Sequence, residues 1–195
     1  MLSPKRFLFL TALCFGSLLM AQRNNTGYVI AAAGDTLRGY FDFSRPGAAA
    51  STSLQVVFCN GKTGEIKKYA PFQIKGWQLD ADTIYNEAKV LRPKGAENGY
   101  GVFMRRISGK GGEIACYLYT DISATMPRTV YYIEKEQQLH EIQGGRKFYT
   151  QLASLLKDSP EISKKISEKQ YKGNTQTRLL LITREYNTWF ENQWK

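Results

Sequence analysis

The side chains that most often carry catalysis are scarce in this chain. There is one histidine, His140, so hydrolysis by a serine or cysteine nucleophile with a histidine base has a single candidate base, which has Glu141 beside it. We interpret His140 as a half-exposed strand residue. The sequence contains no recognisable catalytic motif, and we expect no catalytic residue and no enzyme activity.

Metal and phosphate motifs are incomplete as well. A zinc site needs three or four imidazole or thiolate ligands, and His140, Cys59 and Cys116 have no short ligand spacing among them. Asp80-Ala81-Asp82 is similar to the start of a calcium loop but lacks the third acidic position and the closing glutamate. Gly109-Lys110-Gly111-Gly112 lies between two apparent strands, which favours a hairpin turn over a phosphate loop. We therefore predict two turns, no metal and no cofactor.

The cysteines that follow the N-terminal segment are Cys59 and Cys116. Cys116 lies at strand spacing with Ile114 and Leu118 and is predicted to face the core, whereas Cys59 has the parity of Val57 and is predicted to face the other way. Whether the two form a disulfide stays open, because the sequence fixes neither their distance nor their direction.

Positive charge and aromatic residues are the broad features that remain. The 195 residues include 27 Lys and Arg against 17 Asp and Glu, a formal charge of +10. Glutamates interrupt the basic stretches, so we expect solvated faces, with attraction to anionic lipid headgroups or acidic polysaccharide as the alternative; we expect no nucleic acid partner. The basic residues are Lys62, Lys67, Lys68, Lys75, Arg105, Arg106, Lys110, Lys164, Lys165, Lys169 and Lys172. A carbohydrate platform is a further alternative for the strand aromatics, which are Trp77, Tyr85, Tyr100, Tyr117, Tyr119, Tyr131 and Tyr132.

Short segments rich in Val, Ile, Tyr and Phe, separated by Gly and Asp, predict antiparallel strands up to about Gln143. Alternation places Leu37, Phe41 and Phe43 on one face of a strand and Arg38, Tyr40 and Asp42 on the other, and Leu54, Val56 and Phe58 repeat the pattern. We expect hairpin connections between sequence neighbours. The predicted strands are 27–32, 36–43, 54–59, 65–69, 72–79, 83–91, 101–108, 113–119, 129–134 and 139–142.

The period changes from two to about 3.6 after Gly144-Gly145. Phe148, Leu152, Leu155 and Leu156 form the apolar face of one helix. Ser159 is a predicted N-cap, with Pro160 in the first helical position of a second helix that carries Ile162 and Ile166 and ends at Gly173-Asn174. A third helix is predicted over 175–192, with Leu179, Ile182, Tyr186, Trp189 and Phe190 along one face.

The N-terminal 21 residues have the anatomy of a cleaved signal peptide: a basic start, an apolar stretch from Phe7 to Met20, and a small residue at Ala21. Lipidation at Cys14 and an uncleaved anchor are the alternatives. Residues 22–195 are then expected to form a single exported α+β domain with no transmembrane helix. We predict a curled antiparallel sheet, barrel-like or sandwich-like, of about eight to ten short strands over 22–143, followed by three packed helices over 144–195.

Several short motifs resemble those of an uncharacterised family of small exported proteins of Bacteroidota. They are Gly34-Asp35-Thr36-Leu37-Arg38-Gly39, Tyr69-Ala70-Pro71-Phe72-Gln73-Ile74-Lys75-Gly76-Trp77, the run from Leu152 to Pro160, then Ile166, Tyr171 and Tyr186-Asn187. In that family the position of Ser159 is often a cysteine. The resemblance implies an exported protein of unknown function and brings no catalytic residue. We interpret the motif residues as determinants of the fold.

The leading hypothesis is a non-catalytic, exported, envelope-associated binding or structural module in the periplasm, at the outer-membrane periphery or secreted. Its expected partner is an envelope protein, a glycan or an anionic surface. A small-ligand or glycan-binding barrel and an enzyme acting on glycan or cell wall through paired carboxylates remain alternatives. A small outer-membrane barrel is disfavoured by Lys67, Lys68, Arg105 and Arg106 and by the helical C-terminus. The ligand, the oligomeric state and the exact compartment stay open.

Overall fold

The computed structural model describes residues 25–43, 54–83, 85–92, 97–121 and 126–193. The predicted signal peptide, the 45–53 loop and part of the 93–101 loop lie outside the described residues. The strands are β1 (Thr26–Ala31), β2 (Thr36–Phe41), β3 (Val56–Asn60), β4 (Ile66–Tyr69), β5 (Ile74–Leu79), β6 (Tyr85–Leu91), β7 (Tyr100–Arg106), β8 (Ile114–Asp121), β9 (Arg128–Lys135) and β10 (Gln138–Ile142). The helices are α1 (Arg146–Leu155), α2 (Pro160–Ser167) and α3 (Thr175–Asn192).

The strands form one open antiparallel sheet in the order β10-β9-β8-β7-β6-β5-β1-β2-β3-β4, and the three helices follow it. The predicted α+β class with a curled sheet is therefore confirmed. The residues cluster into two compact units. One is built from the chain up to Lys89 together with Gly101–Phe103, and the other from Val90–Tyr100 and from Met104 onward.

Hairpins join β1 to β2, β3 to β4 and β5 to β6, as predicted, but β4 and β5 are sequence neighbours that do not pair. β5 pairs with β1, and β4 pairs only with β3, at the edge of the sheet. Three strands separate β4 from β5, which in a flat sheet means about 19 Å. The four residues between them fold into a turn in which the Gln73 N–H donates to the Ala70 carbonyl over 3.0 Å, so they span less than their extended reach of about 17 Å. The sheet of the first unit must therefore curl to bring β4 and β5 together.

Alternation along the strands builds the core of the first unit, as predicted. Val29, Phe41, Phe58 and Trp77 are buried together, while Arg38 on the opposite face of β2 is exposed. Leu54 departs from the prediction: it precedes β3 and is exposed. The rings of Phe41 and Trp77 lie 5.1 Å apart at a tilt, an arrangement that aromatic pairs prefer.

Two motif glycines allow the backbone of this unit to approach closely. A Cβ at Gly39 would lie 1.9 Å from the Cys59 carbonyl oxygen, and one at Gly76 would lie 2.3 Å from the Asn86 carbonyl oxygen. No side chain fits at either position without displacing a neighbouring strand. The close approach of neighbouring strands thus explains why these two motif positions are glycine.

In the second unit, the helices cover an apolar sheet face, as predicted. The buried core joins Ile114 and Cys116 of β8, Ile133 of β9 and Ile142 of β10 to the helices. The members from the helices and their connections are Phe148, Leu152, Leu156, Ile162, Ile166, Tyr171, Leu179, Ile182 and Tyr186. Burial of this apolar surface is the main favourable term that holds the three helices against the strands.

Helix boundaries agree with the prediction for α3 but not for the end of α2. Asn174 caps α3, and its side chain accepts a hydrogen bond from the Thr177 N–H. α2 ends at Ser167, six residues before Gly173, because Lys169 takes the left-handed conformation with φ +56°. Ser159 is the N-cap of α2, but its hydroxyl makes no cap hydrogen bond and is buried without a partner.

Both cysteines in the described residues are free and buried. Cys116 faces the helical core, as predicted, and its burial raises the pKa of its thiol to about 12. Cys59 follows the core residue Phe58 on β3 and is buried, and its thiol donates to the Gly64 carbonyl over 3.5 Å. Among the described helices, none has the length and apolarity to cross a membrane.

Candidate functional site

The first polar network of the helical unit joins β9 to the loop between α1 and α2 and to α3. The buried Lys135 ammonium donates to the Asp158 carboxylate over 2.7 Å and to the Leu155 carbonyl over 3.0 Å. The Tyr186 hydroxyl donates to the other carboxylate oxygen of Asp158. The ammonium also lies 5.3 Å from the Tyr186 ring centroid. Asp158 and Tyr186, both motif residues, therefore act together to fix the helices on the sheet.

The pKa values in this network follow from its geometry. Burial disfavours the charged carboxylate, but hydrogen bonds from Lys135 and Tyr186 outweigh it, so the pKa of Asp158 lies below its ordinary value of 3.8. Burial and the bond to Asp158 raise the pKa of Tyr186. Asp158 is therefore ionised and Tyr186 protonated at neutral pH.

A second network joins α2 to α3. The Lys165 ammonium contacts Glu161 at 2.7 Å and Glu185 at 2.8 Å, and the Tyr171 hydroxyl donates to Glu185 over 2.7 Å. Burial opposes ionisation of Glu185, but the hydrogen bonds from Lys165 and Tyr171 hold its pKa below the ordinary value. Glu185 therefore joins α3 to α2, whereas the contact of Glu161 with Lys165 lies within α2.

A third group combines basic and aromatic side chains, and we name it the basic aromatic cluster. Its members are Arg146, Lys147, Phe148, Tyr149, Lys169, Lys172 and Arg178. At its centre, the Arg178 guanidinium carbon lies 4.5 Å from the Phe148 ring centroid and 5.3 Å from that of Tyr149. Its Nη1 donates to the Tyr149 hydroxyl and its Nη2 to the Thr175 hydroxyl over 3.3 Å. Its Nε is buried without a partner. Arg178 is thus held firmly by neutral groups alone.

The α2–α3 connection brings two lysines to the same place. The Lys169 ammonium lies 5.7 Å from the Tyr149 ring centroid, and the Lys172 ammonium donates to the Lys169 carbonyl over 3.2 Å. The left-handed backbone at Lys169 and at Gly173, with φ +107°, turns this connection between the two helices. Arg178 and Lys169 therefore both contact the ring of Tyr149.

The cluster is not neutralised by acids. In the described part of the helical segment, Asp158, Glu161, Glu168 and Glu185 pair with Lys135, Lys164 or Lys165. Arg146, Lys147, Lys169, Lys172 and Arg178 have no carboxylate within 4.0 Å among the described residues. Arg146 and Lys147 are exposed in the first turn of α1, which contains no acid. Two of these five cations, Lys169 and Arg178, contact the aromatic rings of the cluster.

Sequence reasoning found part of this cluster. Lys169 and Lys172 are among the basic residues that the sequence indicates, and the glutamates that interrupt the basic stretches pair with Lys164 and Lys165 in the structure. Arg146, Lys147 and Arg178 were missed. The sequence signal for these three residues is their position near the starts of helices. The first turn of a helix favours acidic residues because the backbone dipole is positive there. In α1 and α3, however, the first turn contains no acid.

The strand aromatics offer little to a carbohydrate platform. Four of the seven are buried, namely Trp77, Tyr117, Tyr119 and Tyr132, and only Tyr100 is exposed, at 46% of its surface. Stacking on a sugar requires an accessible ring face, so most of these residues serve the core.

The remaining sequence predictions concern His140 and the turn motifs. His140 is half-buried on β10, opposite Ile133. Asp80–Asp82 forms a turn in which the Asp82 N–H donates to the Leu79 carbonyl, and Gly111 and Gly112 take positive φ in the β7–β8 hairpin. The described residues contain no group of three metal-ligating side chains.

The basic aromatic cluster can attract, orient and hydrogen-bond an anion, and its fixed guanidinium favours an anion with two accessible oxygens. Comparison with models of protein families, with curated proteins and with solved structures finds no match to this chain.

Proposed function

We propose that this protein is a non-catalytic, exported, envelope-associated binding module whose helical unit binds an anionic component of the cell envelope. The observation that carries the proposal is that Arg178 and Lys169 lie against the rings of Phe148 and Tyr149 and have no carboxylate partner among the described residues. The other three cations of the cluster, which are close to these residues in the chain, have none there either. Export rests on the signal-like N-terminal segment, and the binding role rests on this charge.

The size of the charge supports reversible binding. A Lys or Arg near an anionic lipid surface contributes on the order of 1 kcal/mol. Several such cations together favour association, and salt weakens it because the screening length is about 8 Å at physiological ionic strength. A surface that carries many negative charges is therefore a better partner than a single small anion.

The acids of the helical unit do not support the competing enzyme hypothesis. Hydrolysis of a glycosidic bond uses two carboxylates in a cleft, one of them a proton donor with a raised pKa. Asp158 and Glu185 instead have lowered pKa values, and each is bound by a lysine and a tyrosine. Their contacts are explained by the packing of the helices.

The experiment is co-sedimentation of the purified protein with envelope membranes. Lys147→Gln with Lys172→Gln removes two cluster charges, while Lys62→Gln with Lys68→Gln removes two exposed charges from the first unit as a matched control. We expect about a thirtyfold loss of binding for the cluster variant, as two cations are worth about 2 kcal/mol, and a much smaller loss for the control. Equal losses, or no binding of the wild-type protein, would contradict the proposal.

A further inference from the structure

The geometry of Arg178 indicates which kind of anion the cluster fits. Its guanidinium stacks on Phe148, and its two terminal nitrogens each donate to a neutral hydroxyl, that of Tyr149 or of Thr175. These contacts restrict the side chain before any ligand arrives. A donor fixed in advance loses less conformational entropy on binding than a mobile lysine does.

Two terminal N–H donors of the Arg178 guanidinium have no hydrogen-bond partner among the described residues. A guanidinium has five N–H groups. One on Nη1 is donated to Tyr149, one on Nη2 is donated to Thr175, and the Nε–H is buried. One N–H therefore remains on each terminal nitrogen. A guanidinium that donates from both terminal nitrogens can bind two oxygens of one phosphate or carboxylate group.

The neighbouring charges favour phosphate over carboxylate. Lys169 shares the Tyr149 ring with Arg178, and Lys172 is hydrogen-bonded to the Lys169 backbone. None of the three has a carboxylate partner among the described residues. A phosphate group offers a third oxygen for an ammonium after two oxygens have engaged Arg178, and a monoester carries up to two charges. A carboxylate has only two oxygens and one charge.

We infer that the basic aromatic cluster is a phosphate-binding site, in which Arg178 binds two oxygens of the ligand's phosphate and Lys169 and Lys172 neutralise its charge. The inference rests on the proposed function and specifies the anion. Its phosphate could belong to a lipid headgroup or to a free or glycan-linked phosphate, since the recognised chemistry is the same.

The test compares vesicles that differ only in the anionic group. The full chain is titrated with phosphatidylcholine vesicles that contain phosphatidic acid, whose monoester phosphate has three free oxygens, or an equal charge of oleate, and separately with inorganic phosphate. We expect phosphatidic acid vesicles to bind about tenfold more tightly than oleate vesicles, the gain of one charge-assisted hydrogen bond. Binding of inorganic phosphate alone supports a free or glycan-linked source, and binding only to phosphatidic acid vesicles supports a lipid headgroup.

Variants separate the fixed guanidinium from its charge. Arg178→Lys keeps the charge and should abolish the preference for phosphate, whereas Arg184→Lys, at an exposed site on the same helix, should keep it. Because Arg178 also packs on Phe148, thermal unfolding of each variant is measured first. Lys169→Asn is the second variant, since asparagine tolerates the left-handed backbone and the exposed site does not support the core; it should weaken phosphate binding several-fold.

Three outcomes overturn the inference in distinguishable ways. Equal binding of wild-type protein to phosphatidic acid and oleate vesicles removes phosphate recognition but leaves the proposed anionic-surface function intact. No binding to either vesicle or to inorganic phosphate removes both. If Arg184→Lys loses the preference as fully as Arg178→Lys does, the assignment of the site to Arg178 is wrong.

Discussion

At the scale of single residues, residues of the sequence motifs have structural roles. Asp158 and Tyr186 lie 28 positions apart in the chain and are hydrogen-bonded in the structure. The sequence predicted that they determine the fold, but it did not predict Lys135 as their third member. A lysine at the end of a strand is read as solvated, and only the tertiary structure shows that it is buried.

Asp158→Asn should destabilise the protein by about 1 to 2 kcal/mol, because the buried Lys135 loses its counterion while solvent reaches the partly exposed Asp158 site. The matched control is Asp80→Asn, which breaks an exposed pair with Arg38 and should cost less than about 0.5 kcal/mol. Urea unfolding at neutral pH measures both. Equal effects would mean that the network adds nothing beyond a surface ion pair.

The same carboxylate predicts an acid dependence. Its pKa is lower in the folded protein than the ordinary value of 3.8, so its stabilising effect is present above about pH 4 and is lost as the pH falls through the folded-state pKa. Unfolding followed between pH 6 and pH 2 should therefore show a steeper loss of stability below about pH 4 in the wild-type protein than in Asp158→Asn. Parallel curves would contradict this role for Asp158.

Ser159→Ala should leave the protein as stable as before or raise its free energy of unfolding by about 1 kcal/mol, because the buried hydroxyl has no hydrogen-bond partner. An ordinary serine N-cap would show the opposite, a loss of about 1 kcal/mol on this substitution. Thermal unfolding distinguishes the two signs. A lower melting temperature would show that the hydroxyl does cap α2.

At the scale of elements, all ten strands and all three helices lie where alternation and helical periodicity predict them. The bounds of α3 agree because Asn174 is a strong cap signal. The end of α2 was misplaced because Lys169 adopts a positive φ, a conformation that the sequence signals only for glycine or asparagine. The β9–β10 turn also has positive φ at residues whose types do not signal it, Glu136 and Gln137.

The double substitution Glu136→Asn with Gln137→Gly should stabilise the protein by about 1 kcal/mol. The two residues form a two-residue hairpin loop with both φ values positive, for which Asn-Gly is the preferred pair. Glu136→Gln is the control, because it removes the charge without changing the backbone preference. Denaturant midpoints measure the effect, and a gain that the control reproduces in full would assign it to charge.

Asn187 links α3 to the first residue of β8. Its side-chain amide donates to the Ile114 carbonyl and accepts from the Ile114 N–H, both over 2.9 Å. Asn187→Ala should cost about 2 kcal/mol because two buried backbone groups lose their partners, whereas Thr188→Ala at the exposed neighbouring site should cost little. Equilibrium unfolding tests the pair, and a small cost at Asn187 would mean that water replaces the amide.

At the scale of the whole molecule, the α+β class was predictable because each amphipathic helix required an apolar face to cover. The strand order was not, since pairing of β1 with β5 depends on contacts distant in sequence. The candidate site was predictable only in part. Lys169 and Lys172 stand in a visibly basic stretch, but Arg178 becomes distinctive only when Phe148 and Tyr149 are packed against it.

The most direct measurement of the proposed function is the reactivity of the lysines towards an amine-acetylating reagent, with and without envelope membranes, read by mass spectrometry. We expect the membranes to protect Lys147, Lys169 and Lys172. Lys157, exposed in the same unit but outside the cluster, and Lys62, in the first unit, should react as before. Uniform protection of all these lysines, or protection that leaves the cluster reactive, would contradict binding through the basic aromatic cluster.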